Sequence, residues 1–298
     1  MPPDVDAARA FVAGQARPLD QARLAALLGA PGAAAAVLEA LEAYAVAGGG
    51  YGRGIEPDLR APEAQPAGAM HALEALADIA PHPAVPPVAV ALCDWLESVT
   101  LPDGGLPFAL PVSDPAGCAP FWVGADPARS SLQITAAVAA EAHRLARHDP
   151  AVAAHPWLER ATAHCLDAID AHRGPMPALA LMFALRLLQA IPHPSPRAAA
   201  SLGRLAARIP PSGRLAVEGG ADDEFVRPLD LAPLPGDPVR AHLDAAAVDA
   251  DLRRLAEGQQ PDGGWRADWA SYSPEAAREW RGYLTVRAVV LLQANGRG

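Results

Sequence analysis

A register that recurs five times along the chain constrains its fold more than any other feature. Each copy has Leu, a variable position four residues later, Gly after four more, and a large apolar side chain two residues beyond. The strongest copies span residues 96–106 and 255–265 and share Pro-Asp-Gly-Gly at the same offset; weaker copies span 41–51, 166–176 and 205–215. Repeats at spacings of tens of residues indicate stacked supersecondary units.

The register has a constant place relative to the predicted helices. Each copy begins in the last turns of a helical stretch, and its Gly lies where the chain leaves that helix. Two helices per unit, joined by a glycine turn and repeated around a circle, predict an all-α fold. We expect one α/α-toroid domain of about five to six helical hairpins over residues 1–298. Inner helices are predicted to open near residues 66, 130, 177 and 279, and outer helices near 34, 84, 155, 195 and 240.

One unit departs from this pattern. After residue 215 an inner helix is expected, but the segment 217–238 is too rich in proline and glycine to form one. We predict a largely irregular insert there. A long loop inside a compact repeat is often functional, although a degenerate repeat with a surface loop is an equal alternative.

Composition supports helices and excludes several classes of partner. Half of the chain is hydrophobic, mostly Ala and Leu, which favours packed helices over sheets. The formal charge of −10 and the lack of a basic stripe argue against nucleic acid as a partner. No run of about 18 apolar residues occurs, so no membrane span is expected. The acidic N-terminus lacks a signal-peptide pattern, and we expect a cytoplasmic protein.

The three cysteines have no spacing typical of a metal site. Cys93, Cys118 and Cys165 are scattered and are interpreted as free thiols in a reducing compartment. No Gly-rich phosphate loop or hydrolase triad order is present. The sequence therefore predicts neither a metal nor another cofactor, and it leaves the oligomeric state open.

The copy at residues 255–265 resembles the QW repeat of the terpenoid cyclase and protein prenyltransferase superfamily. Its Leu, Gln259, Gly and Trp265 match, whereas Asp251 stands where the family's full repeat has a basic residue. Residues 54–66 and 273–292 are similar to an Ala-rich, prenyltransferase-like bacterial subgroup. The resemblance implies an α/α-toroid with a central apolar cavity and an isoprenoid or similar hydrophobic ligand. In that family the repeat mainly stabilises the barrel.

The family's catalytic motifs are missing, which leaves the reaction open. Neither the Asp-x-Asp-Asp proton donor nor the magnesium-binding Asp-Asp-x-x-Asp pattern is complete, and no zinc-type Asp/Cys/His set is visible. Because no magnesium motif is present, proton-initiated cyclisation is the favoured reaction. Asp222, Asp223 and Glu224 are the candidate catalytic acids, since crowded carboxylates raise one another's pKa. A solvated acidic loop is the alternative interpretation.

Two further groups are candidates for substrate binding. Glu56, Asp58 and Arg60 lie on a loop that enters the first clear inner helix and could form the rim of the cavity; a structural ion pair that pins the loop is the alternative. Tyr283 and Arg287 are four residues apart and should share one face of an inner helix.

A polar stripe marks the first clear inner helix. His71, Glu74 and Asp78 follow an i, i+3, i+7 spacing. Such a stripe is usually solvated, but on an inner helix it would face the cavity or the neighbouring helices.

Three functions are compatible with this sequence. The first is an isoprenoid cyclase with an apolar, aromatic cavity. The second is a non-catalytic toroid that binds a hydrophobic ligand or a protein partner. The third is a carbohydrate-active toroid whose cavity is rich in carboxylates. Because fold alone does not decide function, the lining of the cavity is the discriminating observation.

Overall fold

The computed structural model describes residues 3–192 and 195–297. Over these residues the protein contains fourteen α-helices and a single two-stranded sheet, which confirms the all-α prediction. The predicted domain 1–298 also includes residues 1–2, 193–194 and 298, which lie outside the described residues.

Five helices form the inner wall of a ring. They are α2 (Pro18–Leu27), α4 (Pro66–Asp78), α7 (Leu132–Ala146), α10 (Ala178–Ala190) and α14 (Pro274–Ala294). Helix α4 packs against α2 and α7, α7 packs against α10, and α14 closes the ring by packing against α2. The four inner helices predicted to open near residues 66, 130, 177 and 279 are all present.

Six helices wrap this wall on the outside. They are α1 (Val5–Gln15), α3 (Ala33–Glu42), α5 (Val85–Val99), α9 (Pro156–Ala171), α11 (Pro196–Ala206) and α13 (Ala245–Glu257). Each outer helix precedes an inner element, so the chain forms six hairpin units, as expected for an α/α-toroid. Because every outer helix runs back along its inner neighbour, the inner helices all run in the same direction. Three one-turn helices lie in connections: α6 (Pro120–Val123), α8 (Pro150–Ala153) and α12 (Pro228–Leu231).

Small side chains allow the inner helices to approach one another closely. Helix α7 lies between α4 and α10, and five of its alanines are buried in addition to its larger apolar residues. Alanine also has the highest helix propensity. Most of the longer helices begin with a proline at the first or second position, where the missing N–H has no helical partner to lose.

The fifth inner position is occupied by irregular chain, as predicted for residues 217–238. A short antiparallel hairpin pairs β1 (Leu215–Ala216) with β2 (Phe225–Val226). The one-turn helix α12 and a 3₁₀ helix, Pro238–His242, follow. The hairpin, α12 and the 3₁₀ helix, residues 215–242, together form what we call the insert. The insert packs against α10 and α13 and takes the place of an inner helix.

The recurring register corresponds to one recurring turn. In the copy at 255–265, Gln260 donates its backbone N–H to the carbonyl of Gly264 at 2.8 Å, and Gly263 donates to the carbonyl of Gln260 at 2.8 Å. The copies at 96–106 and 41–51 make the same two hydrogen bonds at the same offsets. These three copies are therefore structural repeats.

The two weaker copies keep less of this turn. Gly174 and Gly213 both retain a positive φ, +85° and +67° respectively. Gly213 also donates to the carbonyl of Pro210 at 2.8 Å, but Pro210 has no N–H with which to make the second bond. The copies that match the register less well in sequence therefore also keep fewer of the hydrogen bonds of the turn.

The last residue of the register anchors the following inner helix. Trp265 is buried, and its backbone N–H donates to Oγ1 of Thr285 in α14 at 3.0 Å. Leu106 makes the equivalent bond to Oγ1 of Thr135 in α7 at 2.9 Å. The indole of Trp265 donates to the carbonyl of Leu255 at 2.7 Å, so Trp265 ties the end of the outer helix α13 to the middle of the inner helix α14.

No helix within residues 3–192 and 195–297 combines the length and the apolar character needed to cross a membrane.

Replacement of two glycines should separate backbone strain from close packing. Gly263 has φ +91°, and a Cβ there would lie 2.2 Å from the carbonyl oxygen of Ala7 in α1, whereas Gly174 has φ +85° and open space around it. Gly174→Ala should therefore cost about 1–3 kcal/mol of backbone strain, and Gly263→Ala more than about 4 kcal/mol, because α1 must also move. Urea denaturation of both variants measures the difference; equal losses would contradict the close contact.

Candidate ligand-binding site

A cavity of about 230 Å³ lies at the centre of the ring. All five inner helices and the insert contribute to its walls. A second, more open groove of about 410 Å³ lies between α1 and α2 and is lined mainly by small apolar side chains. Polar side chains of the inner helices meet in the central cavity and not in this groove.

Nearly half of the side chains that line the central cavity are charged, so its wall is more polar than the lining expected for an isoprenoid site. Its lining includes the guanidinium groups of Arg23, Arg144, Arg147, Arg186 and Arg287 and the carboxylates of Glu74, Asp78, Glu141 and Asp237. Tyr283 is the aromatic residue among the lining side chains. Apolar residues also line the cavity, and most of them lie in the insert or toward the C-terminal ends of inner helices: Leu27, Ala140, Ala190, Pro233, Leu234, Val286, Val290 and Leu291.

The polar stripe of α4 faces this cavity and its neighbours. Arg23 of α2 contacts both acids of the stripe, with 3.0 Å to Glu74 and 2.7 Å to Asp78. Arg144 of α7 reaches Asp78 from the other side at 3.3 Å. Burial alone would raise the pKa of Glu74, but the charges of Arg23 and His71 hold it well below its ordinary value. Glu74 is therefore an anion in the folded protein.

Tyr283 and Arg287 both lie on the cavity face of α14, as their spacing predicted. The hydroxyl of Tyr283 donates to Oε1 of Glu74 at 3.1 Å, and burial together with that carboxylate raises the tyrosine's pKa. Arg287 pairs with Asp230 of α12 at 2.6 Å. Burial would raise the pKa of Asp230, but Arg287 holds it below its ordinary value. The insert thus supplies a carboxylate to the inner wall.

Arg186 differs from the other inner-wall arginines in its partners. It is half-buried, and its Nε donates to the backbone carbonyl of Asp230 at 2.8 Å. Among the described residues, no carboxylate lies within ion-pair distance of Arg186, and no oxygen accepts from its terminal nitrogens. Burial and the nearby charge of Arg287 lower the pKa of Arg186. This guanidinium faces the cavity without a close ion pair, and the charges of Asp230 and Glu141 act on it only from a greater distance.

The turn at residues 234–237 covers one end of the cavity. Leu234 donates its N–H to the carboxylate of Asp237 at 2.7 Å, and Asp237 donates its own N–H to the carbonyl of Leu234 at 3.1 Å. Burial raises the pKa of Asp237, whereas Arg240, Arg186 and Arg147 act in the opposite direction. We call this end, where Leu234 and Arg147 are exposed to solvent, the mouth of the cavity.

Glu141, like Asp237, is a cavity acid whose pKa is raised, as a proton donor requires. It is half-buried on α7, where it contacts Arg144. Burial, with the negative charges of Glu74 and Asp78, raises its pKa despite the opposing charge of Arg144.

In the described part of the chain, no group of three or more His, Cys, Asp or Glu side chains is arranged to hold a metal ion.

The three acids predicted to be catalytic do not line the cavity. Asp222 and Asp223 are exposed to solvent in the hairpin turn between β1 and β2, and Glu224 accepts a hydrogen bond from the local backbone N–H of Ala221 at 3.2 Å. These acids lie in or next to the hairpin turn, and the chain packs against α10 again at β2, directly after Glu224. Asp230 and Asp237 are the acids of the insert that reach the site, because Asp237 lines the cavity and Asp230 pairs with Arg287.

The predicted rim residues also lie outside the cavity lining and form a clamp. Asp58 is buried and accepts a hydrogen bond from Nε1 of Trp280 at 2.7 Å and one from the N–H of Tyr272 at 3.0 Å. Burial raises the pKa of Asp58. Arg60 pairs with Glu279 at 2.7 Å. These contacts fasten the loop at residues 54–60 to α14, which is the pinning role considered as the alternative.

Glu56, the third rim residue, connects this clamp to the cavity. Its Oε2 lies 3.0 Å from Nε2 of His71, and Nδ1 of the same imidazole lies 3.6 Å from Glu74. Burial would lower the pKa of His71, but its hydrogen bonds to the two carboxylates raise it to about 9. A buried imidazolium therefore joins the loop to the inner wall.

Sequence reasoning missed four of the residues that line the site: Arg23, Arg186, Glu141 and Asp237. A usable signal existed for Arg186, which is the one charged residue in helix α10. The other three lie in mixed polar sequence, where position around the ring alone distinguishes them from surface residues.

Comparisons with known proteins do not assign a function. No family model matches the chain, and no curated protein matches it. Among solved structures, a crystal structure of a protein from Actinoplanes is similar over 94% of this chain and 90% of its own, with 19% identity and a TM-score of 0.49. A likeness of this degree says nothing about ligand or activity.

The buried imidazolium predicts a pH dependence of stability. Because the pKa of His71 is about 9 in the folded protein and about 6.5 in an unfolded chain, its contribution is fully present below about pH 6.5. It should disappear as the pH rises to about 9, with a loss of up to about 3 kcal/mol in the free energy of unfolding. Urea denaturation between pH 6 and pH 9.5 measures this loss.

His71→Gln should remove most of this pH dependence, whereas His148→Gln, at an exposed histidine, should leave it unchanged. A variant without His71 that loses stability over the same pH interval as the unmodified protein would contradict the assignment.

Proposed function

We propose that the central cavity binds a small anionic ligand and that Arg186 is its principal contact. The observation that carries this proposal is the guanidinium of Arg186 on the inner wall, which has no carboxylate within ion-pair distance among the described residues. A half-buried cation without a counter-ion is costly. A carboxylate or phosphate oxygen on the ligand would remove that cost.

The chemistry of the neighbouring groups supports an anion at this position. A guanidinium presents several N–H donors in a planar fork that matches carboxylate and phosphate oxygens. The Nε of Arg186 is held by the backbone of Asp230, which orients the fork and leaves both terminal nitrogens for a ligand. Arg147 at the mouth also has no ion pair among the described residues, so it can attract an anion toward the cavity.

The cavity favours a polar ligand over a long isoprenoid chain. Its volume of about 230 Å³ lies below the range of about 300–1,000 Å³ that is typical of small-molecule pockets. A wall of guanidinium and carboxylate groups is also costly to cover with an apolar surface. These features support binding of a small polar anion, such as an acidic sugar or another organic acid, over isoprenoid cyclisation.

Acid-initiated chemistry on the bound ligand is the second candidate, and Glu141 is the observation that favours it. Its raised pKa and its place in the cavity wall suit a proton donor, the role first assigned to residues 222–224. If Glu141 donates a proton, Glu141→Gln should abolish turnover of a ligand that still binds, and Asp223→Asn should leave turnover intact.

Replacement of Arg186 tests the principal proposal. Isothermal titration and thermal shift with phosphate, citrate, glucuronate and short carboxylates should identify an anion that binds and stabilises the protein. Arg186→Gln should weaken that binding by about 10- to 100-fold, since hydrogen bonds to charged groups contribute about 1.5–3 kcal/mol. Arg186→Lys should retain part of the affinity because it keeps the charge.

Arg253→Gln is the matched control, because Arg253 is an exposed outer-helix arginine paired with Asp249. The affinity of this variant for the anion should equal that of the unmodified protein. Anion binding that is unchanged in Arg186→Gln, or the absence of binding by every anion tested, would contradict the proposal.

A further inference from the structure

We infer that the ligand is an amphipathic monoanion whose charged group lies against Arg186 and whose apolar body packs at the mouth. This inference rests on the proposed anion site and adds the chemical class of the ligand. It comes from the order of charged and apolar residues along three inner helices, from the exposed leucine of the insert and from the balance of charge in the wall.

Three inner helices place an apolar residue one turn beyond their cavity arginine. In α2, Leu27 follows Arg23 by four residues, and in α14, Leu291 follows Arg287 by four. In α10, Ala190 follows Arg186 at the same spacing. Residues four apart lie on the same helical face, and the inner helices run in one direction. These three helices therefore place apolar side chains toward the mouth, where α7 contributes the charged side chain of Arg147.

The insert adds an exposed apolar side chain at the same level. Leu234 is 45% exposed, one of four large hydrophobic residues with such exposure among those described. It lines the cavity together with Pro233, which precedes it. The hydrogen bonds between Leu234 and Asp237 hold this turn in place. A ligand with an apolar body would bury Leu234 and gain free energy from the surface removed from water.

The charge of the wall limits the charge of the ligand. The five guanidinium groups of the cavity face five carboxylates when Asp230, the partner of Arg287, is counted with the four in the lining. A diphosphate would leave several negative charges without partners in this balanced wall. A single carboxylate requires only the donors of Arg186, with Arg147 nearby, and leaves the other ion pairs intact.

A series of straight-chain carboxylates from acetate to octanoate tests this inference by isothermal titration. Affinity should rise by about two- to fourfold for each added methylene, because a buried CH₂ contributes about 0.8 kcal/mol. The rise should stop once the chain extends beyond the mouth. Dimethylallyl diphosphate, which combines a short apolar group with a higher charge, should bind more weakly than hexanoate.

Variants at the two ends of the site should separate its parts. Leu234→Ser should flatten the dependence on chain length while leaving acetate binding unchanged. Arg186→Gln should weaken every member of the series by a similar factor. Phe121→Ala removes a comparably exposed hydrophobic side chain outside the cavity and should keep the full dependence on chain length.

The outcomes distinguish this inference from the proposal on which it rests. If citrate or phosphate binds through Arg186 but affinity is flat across the carboxylates, the anion site stands and the amphipathic ligand is wrong. If dimethylallyl diphosphate binds more tightly than hexanoate, the inference that the ligand is a monoanion is wrong. If no anion depends on Arg186, the anion site itself is wrong, and this inference with it.

Discussion

Buried charge fixes the arrangement of the inner helices. The carboxylates of Glu74 and Asp78 on α4 receive Arg23 from α2 and Arg144 from α7, and Tyr283 of α14 donates to Glu74. Buried ion pairs add little net stability, but loss of one partner leaves an uncompensated charge. Rotation of any of these four helices about its axis would separate a pair, so the network sets which faces line the cavity.

The absence of an inner helix at the fifth position leaves Arg186 without a carboxylate partner. A helix would use its backbone carbonyls internally, whereas the insert leaves them available to side chains. Arg186 donates to the carbonyl of Asp230, Gln189 to that of Leu231, and Arg240 to that of Ala232. Because Arg186 is positioned by a carbonyl and not by a carboxylate, its terminal nitrogens have no carboxylate partner and face the cavity.

The recurring register stabilises the ring at a distance from this chemistry. The amide of Gln259 exchanges hydrogen bonds with the backbone of Asp4, with 2.7 Å in each direction. It therefore joins the last unit of the ring to the first. Trp265 and the glycine turn connect an outer helix to the next inner one. A likeness in this register carries information about helix order and ring closure, and none about the ligand.

The sequence by itself determined the helices and their order around the ring. Glycine turns, prolines at helix starts and Ala-rich apolar faces are local signals. They placed four of the five inner helices, five of the six outer helices and the irregular insert. The spacing of Tyr283 and Arg287, and the stripe of His71, Glu74 and Asp78, also identified cavity faces, because residues three or four apart share a face of a helix.

Only the tertiary structure decided which charges meet. Asp222 and Asp223 looked catalytic because they are adjacent in sequence, yet the hairpin exposes them, while Asp230 and Asp237 of the same insert reach the inner wall. Asp58 lies more than two hundred residues from Trp280 but accepts its indole N–H. Arg23, Arg186 and Glu141 come from three separate units. Neighbours that are distant in sequence determine the pKa of a side chain and whether it has an ion-pair partner. Closure of the ring brings those neighbours together.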